Sequence, residues 1–214
     1  MNSISDRNPV VLVHGLNDTA RVFDRLSGHL SRQGWSVYSL DLSPSNGDRP
    51  LEDLSQQLAT FVHSIFTARQ CFDLVGFSMG GIVSRYYLQR LGGLERVQRF
   101  VSISSPHWGT QVAYLSQRPG CMQMRPTSPL LMELNRELHH LDRINVTTLW
   151  TPMDLMIVPA RSSCLGIGQD YQVPVGLHPW MLYDRRSLER ITAALTEPLR
   201  RSPAQASTAS PISE

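Results

Sequence analysis

The strongest constraint in this chain is an alternation: short apolar runs of β character are followed, again and again, by stretches with helical spacing. Pro9–Val13 is a continuous apolar run, as a strand covered on both faces requires. Val22, Phe23, Leu26 and Leu30 follow at helical spacing, and Gly34 closes that segment. Trp35–Leu40 reads as a second strand. After a loop over 43–50 rich in Pro, Ser, Asn and Gly, the stripe Leu51, Leu54, Leu58, Phe61, Val62, Ile65 and Phe66 predicts a long amphipathic helix. Cys71–Val75, Val97–Ile103, Val146–Trp150 and a weaker Tyr171–Val175 are further strands; Ser78–Leu91 and about 184–199 are helices. Strand–helix alternation predicts the α/β class: one doubly wound, mostly parallel sheet of about six strands, with helices on both faces and right-handed crossovers. Ligands of such sheets bind beyond the carboxyl ends of the strands.

The alternation fails over 105–145, which holds Pro106, Pro119, Pro126 and Pro129 and short helical pieces. It is too long for a plain connection and is expected to form a lid-like excursion over the sheet's carboxyl edge. The expected organisation is an N-terminal extension over 1–8, one domain over 9–201 and a disordered Pro-, Ala-, Ser- and Thr-rich tail over 202–214. A chain of 214 residues suffices for one substantial core.

Composition narrows the chemistry. The net charge is +2, which gives no reason to expect a nucleic-acid partner. All twenty basic residues are arginine, so a lysine Schiff base and a Walker-type phosphate lysine are excluded. Cys71, Cys121 and Cys164 lack metal-like spacing. They predict reduced thiols in the cytoplasm, with a Cys121–Cys164 disulfide left open. The first apolar run, Val10–Val13, is shorter than the roughly 7–15 residues of a signal-peptide core.

The most informative motif is Gly76-Phe77-Ser78-Met79-Gly80, followed by Gly81, between an apolar strand and an amphipathic helix. A serine on a sharp strand-to-helix turn adopts strained backbone angles, and the glycines two residues either side avoid Cβ clashes with neighbouring strands. Such a turn presents Ser78 Oγ at a helix N-terminus, where the dipole favours developing negative charge. The first strand ends in His14-Gly15-Leu16. Backbone N–H groups of Leu16 and Met79 are the expected oxyanion donors.

A base is expected after Ser78, where His107, His139, His140 and His178 stand. His178 follows the last strand-like run and precedes the final helix, so its loop returns to the carboxyl edge; it is the choice for base. His14 precedes the serine and fits a structural role. Asp154, just after the fifth strand, is the expected acid, whereas Asp142 and Asp170 flank strands at the wrong edge. Phe77, beside the nucleophile, and Trp108, within the excursion, are expected to contact substrate.

Val10–Gly15, Val75–Gly81, Ser105–Thr110, Asp154 before Ile157–Pro159, and Gly176–His178 occur in this order. Together they resemble the compact bacterial triacylglycerol lipase/esterase branch of the α/β-hydrolases, over about residues 9–195. The resemblance implies a nucleophile at Ser78, an acid at Asp154, a base at His178 and oxyanion amides at Leu16 and Met79. Phe77 departs from the histidine that many relatives carry before the nucleophile.

The expected activity is cleavage of carboxyl esters, lipid-like ones in particular, by a monomer that needs neither metal nor cofactor. Transient contact with a membrane surface stays open. A thioesterase, lactonase or acyltransferase would use the same residues. A hydrolase-fold binding protein is the non-enzymatic alternative.

Overall fold

A computed structural model describes residues 7–199. The tail expected over 202–214 and most of the N-terminal extension therefore lie outside the described residues. The strands are β1 (Val10–Val13), β2 (Val37–Leu40), β3 (Phe72–Phe77), β4 (Val97–Ile103), β5 (Asn145–Trp150) and β6 (Gln169–Gln172). They form one sheet in the order β2-β1-β3-β4-β5-β6, and every neighbouring pair is parallel. The chain passes from β1 outward to β2 and then back across β1 to β3, so the topological switch point lies between β1 and β3.

Both faces are covered, which explains the continuous apolar runs. On one face, α2 (Leu51–Ile65) and α3 (Met79–Arg90) pack on Val11, Val13, Leu74 and Phe100. On the other, α1 (Asp24–Arg32) and α6 (Arg185–Thr196) pack on Val10, Leu12, Val75 and Phe77. Alternate residues of one strand thus feed two cores. The weakest expected strand begins two residues early, at Gln169, because β6 is a half-exposed edge strand whose burial pattern lacks a full apolar face. Val173 and Val175 lie past its end and belong to the core beneath.

The stretch over 105–145 contains α4 (Pro119–Gln123), α5 (Pro129–Arg136) and two 3-10 turns, Gln111–Leu115 and Leu138–Arg143. Ala113, Cys121, Met124, Leu130, Leu131, Leu134 and Leu141 all join the core on the α2/α3 face. The expected lid is thus an integral layer of the domain, held by burial of its apolar residues. All three cysteines are free thiols. Among the described residues no helix is long and apolar enough to cross a membrane.

At the amino edge of the sheet, Asp73 is buried against Arg99, 3.1 Å away, and accepts a 2.9 Å bond from the Asn8 side chain. Desolvation outweighs these partners and pushes its carboxyl up to about 6. The folded protein then holds this proton more tightly than the unfolded chain does. Stability from this group is present at acid pH and is lost as pH rises through about 6. In urea titrations the unfolding free energy of the natural chain, relative to Asp73→Asn, should fall by on the order of 3 kcal/mol between about pH 4 and about pH 7. A difference that does not change with pH would contradict this.

Candidate active site

Because all strands run the same way, the segments after β1, β3, β4, β5 and β6 emerge at one edge. The sharpest of these exits is at Ser78, with φ 53° and ψ −125°, immediately before α3. This left-handed conformation is disfavoured for a residue with a Cβ. It is held by Ser78 N–H donating to the Ile103 carbonyl (2.9 Å) and by the contacts of the surrounding glycines. A Cβ on Gly80 would stand 2.1 Å from the Val13 carbonyl oxygen. On Gly76 it would stand 2.6 Å from the Gly81 Cα, and on Gly81 2.0 Å from Ser105 Oγ. The three glycines let α3 touch the end of β1 and the exit of β4.

Leu16 and Met79 both lie beside the serine. Ser78 and Leu16 line the same cavity, and Met79 is the first residue of α3. Among the described residues neither Leu16 N–H nor Met79 N–H donates to a backbone carbonyl outside the regular elements. The β1 exit is braced by His14, a buried residue whose Nε2 accepts the Leu42 N–H (2.9 Å) while Nδ1 lies 2.9 Å from the Gly15 carbonyl. With both ring nitrogens engaged by backbone, His14 holds the loop. Asp18 sits near Gly15, and burial raises its carboxyl pKa despite His14 and His178 nearby.

His178 Nδ1 lies 2.8 Å from Asp154 Oδ2. The other oxygen of Asp154 accepts the N–H groups of Met156 and Ile157, both at 2.9 Å. The carboxylate is buried, and the imidazole is 8% exposed. One face of the imidazole rests on Phe77, with ring centroids 4.8 Å apart. The other histidines stand elsewhere. His139 and His140 are exposed on the 3-10 turn before β5, and His107 is fully buried.

A family model, palmitoyl protein thioesterase, matches residues 9–136, more than half of the chain. The chain belongs to the palmitoyl protein thioesterase family. It is 34% identical over 115 residues to a triacylglycerol lipase of Pseudarthrobacter phenanthrenivorans, a match covering 50% of this chain and 35% of that protein. It is also 33% identical over 107 residues to the lysosomal thioesterase PPT2 of Bos taurus, covering 47% and 34%. These matches span about a third of each relative's length. The mature lipase BlEst2 of Bacillus licheniformis superposes with a TM-score of 0.74 at 16% identity, covering 89% of this chain and 93% of that one. Lipase B of Aspergillus fumigatus gives 0.75 at 17% identity, covering 94% and 55%. The fold is that of the α/β-hydrolases.

In this member of the palmitoyl protein thioesterase family, a cavity of about 200 Å³ opens beside Ser78. Its walls are mainly apolar and come largely from 106–124, together with Leu16, Met156 and Ile157. Two expected substrate contacts are not among its lining residues. Phe77 is buried on the opposite face of β3 in the α1/α6 core, because its position in the strand turns it away from the cavity. Its ring packs against the His178 imidazole. Trp108 points outward, 46% exposed, with its indole N–H donating to the Cys164 carbonyl (2.8 Å). It helps bolt the segment after β4 to the loop that follows Asp154. Thr110 acts likewise, donating to the Met156 carbonyl (2.8 Å) and accepting the Val158 N–H (2.9 Å).

A buried polar network behind α3 escaped the sequence reading. His107 Nε2 lies 2.8 Å from Ser102 Oγ, which donates to Ser105 Oγ, the group that faces Gly81. Asn135 links the His107 carbonyl to Arg85, whose guanidinium is wholly buried and lowered to about 9 by that burial. Burial and Arg85 drive the His107 imidazole well below its ordinary value, so it is neutral. The run Ser104-Ser-Pro-His directly after an apolar strand was the available signal. Among the described residues no group of His, Cys, Asp or Glu is placed to hold a metal.

Gly80→Ala should cost about 3 kcal/mol in urea unfolding, since its Cβ meets the carbonyls of Val13 and His14 rather than a side chain that could move. A variant as stable as the natural chain would overturn this account of the turn.

Proposed function

We propose that this protein is a serine hydrolase that cleaves carboxylic acyl esters through an acyl-enzyme on Ser78, with His178 as base and Asp154 as its orienting acid. The observation that carries the reading is a serine at positive φ, in a glycine-walled turn, with a carboxylate-bound imidazole resting on Phe77, the residue immediately before it. Ser78 Oγ attacks the substrate carbonyl carbon while its proton passes to His178 Nε2, the ring nitrogen that Asp154 leaves free. The tetrahedral oxyanion sits between the Leu16 and Met79 amides, whose donors are uncommitted to other backbone carbonyls. Collapse expels the alkoxide, which takes the proton from His178. A water then repeats the sequence on the acyl-enzyme and releases the acid. Asp154 is held by two backbone amides and so fixes the imidazole tautomer with Nδ1 protonated.

The leaving group distinguishes two readings with the same acyl half. Membership of a thioesterase family and the likeness to a lysosomal thioesterase favour a thiol leaving group. The likeness to triacylglycerol lipases favours an alcohol. Matched oxygen and sulfur esters of one acyl chain separate them by their kcat/KM ratio.

A fluorophosphonate probe should modify Ser78 and fail on Ser78→Ala. His178→Ala should slow labelling strongly. Asp154→Asn should lower kcat by about 10⁴-fold with little change in KM. A folded natural chain that resists the probe would instead support a binding protein.

A further inference from the structure

We infer that the floor of the cavity beside Ser78 limits the acyl chain to about eight carbons, and that Met124 and Cys121 set this limit; the inference rests on Ser78 being the acyl-accepting residue. The cavity measures about 200 Å³. A dry apolar cavity of about 150 Å³ is enough for benzene, with its six carbons, so by proportion this one takes about eight. A hexadecanoyl group of the kind named in the family's description has twice that length.

A gradient of exposure tells the mouth from the floor. Leu115 is 87% exposed and Met156 half-exposed, whereas Ala113, Cys121 and Met124 are buried. A chain that enters past Leu115 and Met156 therefore ends against Cys121 and Met124. The floor is backed by main chain rather than by movable side chains. A Cβ on Gly47, which has φ +89°, would stand 2.7 Å from Cys121 Sγ, and one on Gly120 would stand 2.6 Å from the Arg49 carbonyl oxygen. Gly120 N–H also donates to the Gly47 carbonyl (2.9 Å), and the Met124 carbonyl accepts the Thr110 N–H (2.9 Å). The start of α4 is thus pressed against the 43–50 loop, which backs Cys121, while the Met124 side chain separates this cavity from the groove lined by Met122, Gln123 and Leu130. Carbons beyond the limit must fold back out over Leu115 and Met156, where they stay in water and gain little.

Each methylene that enters the cavity should raise kcat/KM about fourfold. The test is a series of p-nitrophenyl esters from butanoyl to hexadecanoyl at one fixed low detergent concentration, with active enzyme counted by fluorophosphonate titration. The expected profile rises to octanoyl and gains nothing further beyond decanoyl. In Met124→Ala the break should move two or three carbons longer, and in Ala113→Leu a similar distance shorter. A rate that climbs on through dodecanoyl to hexadecanoyl in the natural chain, or a break that neither variant moves, would overturn the length limit while titration at Ser78 still succeeded. Failure of the titration itself would sink the proposed chemistry instead.

Discussion

The contact on which the rest depends is the approach of the first turn of α3 to the end of β1, where Gly80 leaves no room for a side chain against the carbonyls of Val13 and His14. That approach bends the chain so sharply after β3 that Ser78 sits at positive φ. The unfavourable conformation persists because neighbours on three sides over-determine it: the β1 backbone in front, the Ser105 side chain at the β4 exit behind Gly81, and the Ile103 carbonyl beneath. It places Ser78 at the switch point of the sheet, where this topology opens a crevice.

Around this rigid centre the remaining groups are fastened by hydrogen bonds between loops. Asp154 is locked by its own following amides, and that loop is fastened in turn to the segment after β4 through Thr110, Trp108 and the Gln111 amide. The imidazole of His178 is gripped between the Asp154 carboxylate and the Phe77 ring. Behind the serine helix, a neutral His107 and a buried Arg85 form a polar layer. Buried polar groups are strongly directional, so the layer fixes how the 105–145 segment lies on α3. The same segment walls the cavity, and this links packing behind the serine to the shape of the space in front of it.

Much of this was legible before any coordinates. The order of apolar runs and helical stripes specified a parallel sheet covered on both sides, since only full burial makes a strand apolar at every position, as Val10–Val13 is. The glycines at 76 and 80, two residues either side of Ser78, announced a close backbone approach, because a Cβ at either position would clash with neighbouring main chain. Residues that follow strands, Asp154 and His178 among them, could be assigned to one edge from topology alone. Boundaries were less legible where burial was partial: β6, on the edge of the sheet, carries no clear alternation and was placed two residues late.

The sequence by itself determined the class of fold, the site of the strained turn and the edge at which the chemistry-bearing side chains gather. These follow from local sterics and from periodicity, which are properties of neighbouring residues. Only the tertiary structure decided that Phe77 packs against the imidazole, that the Trp108 indole bonds the Cys164 carbonyl, that apolar residues of 105–145 join the core, and that 106–124 walls the cavity beside Ser78. Each of these depends on which surfaces distant segments bury against one another. That choice is made by the packing of the whole domain, and no single stretch of chain encodes it.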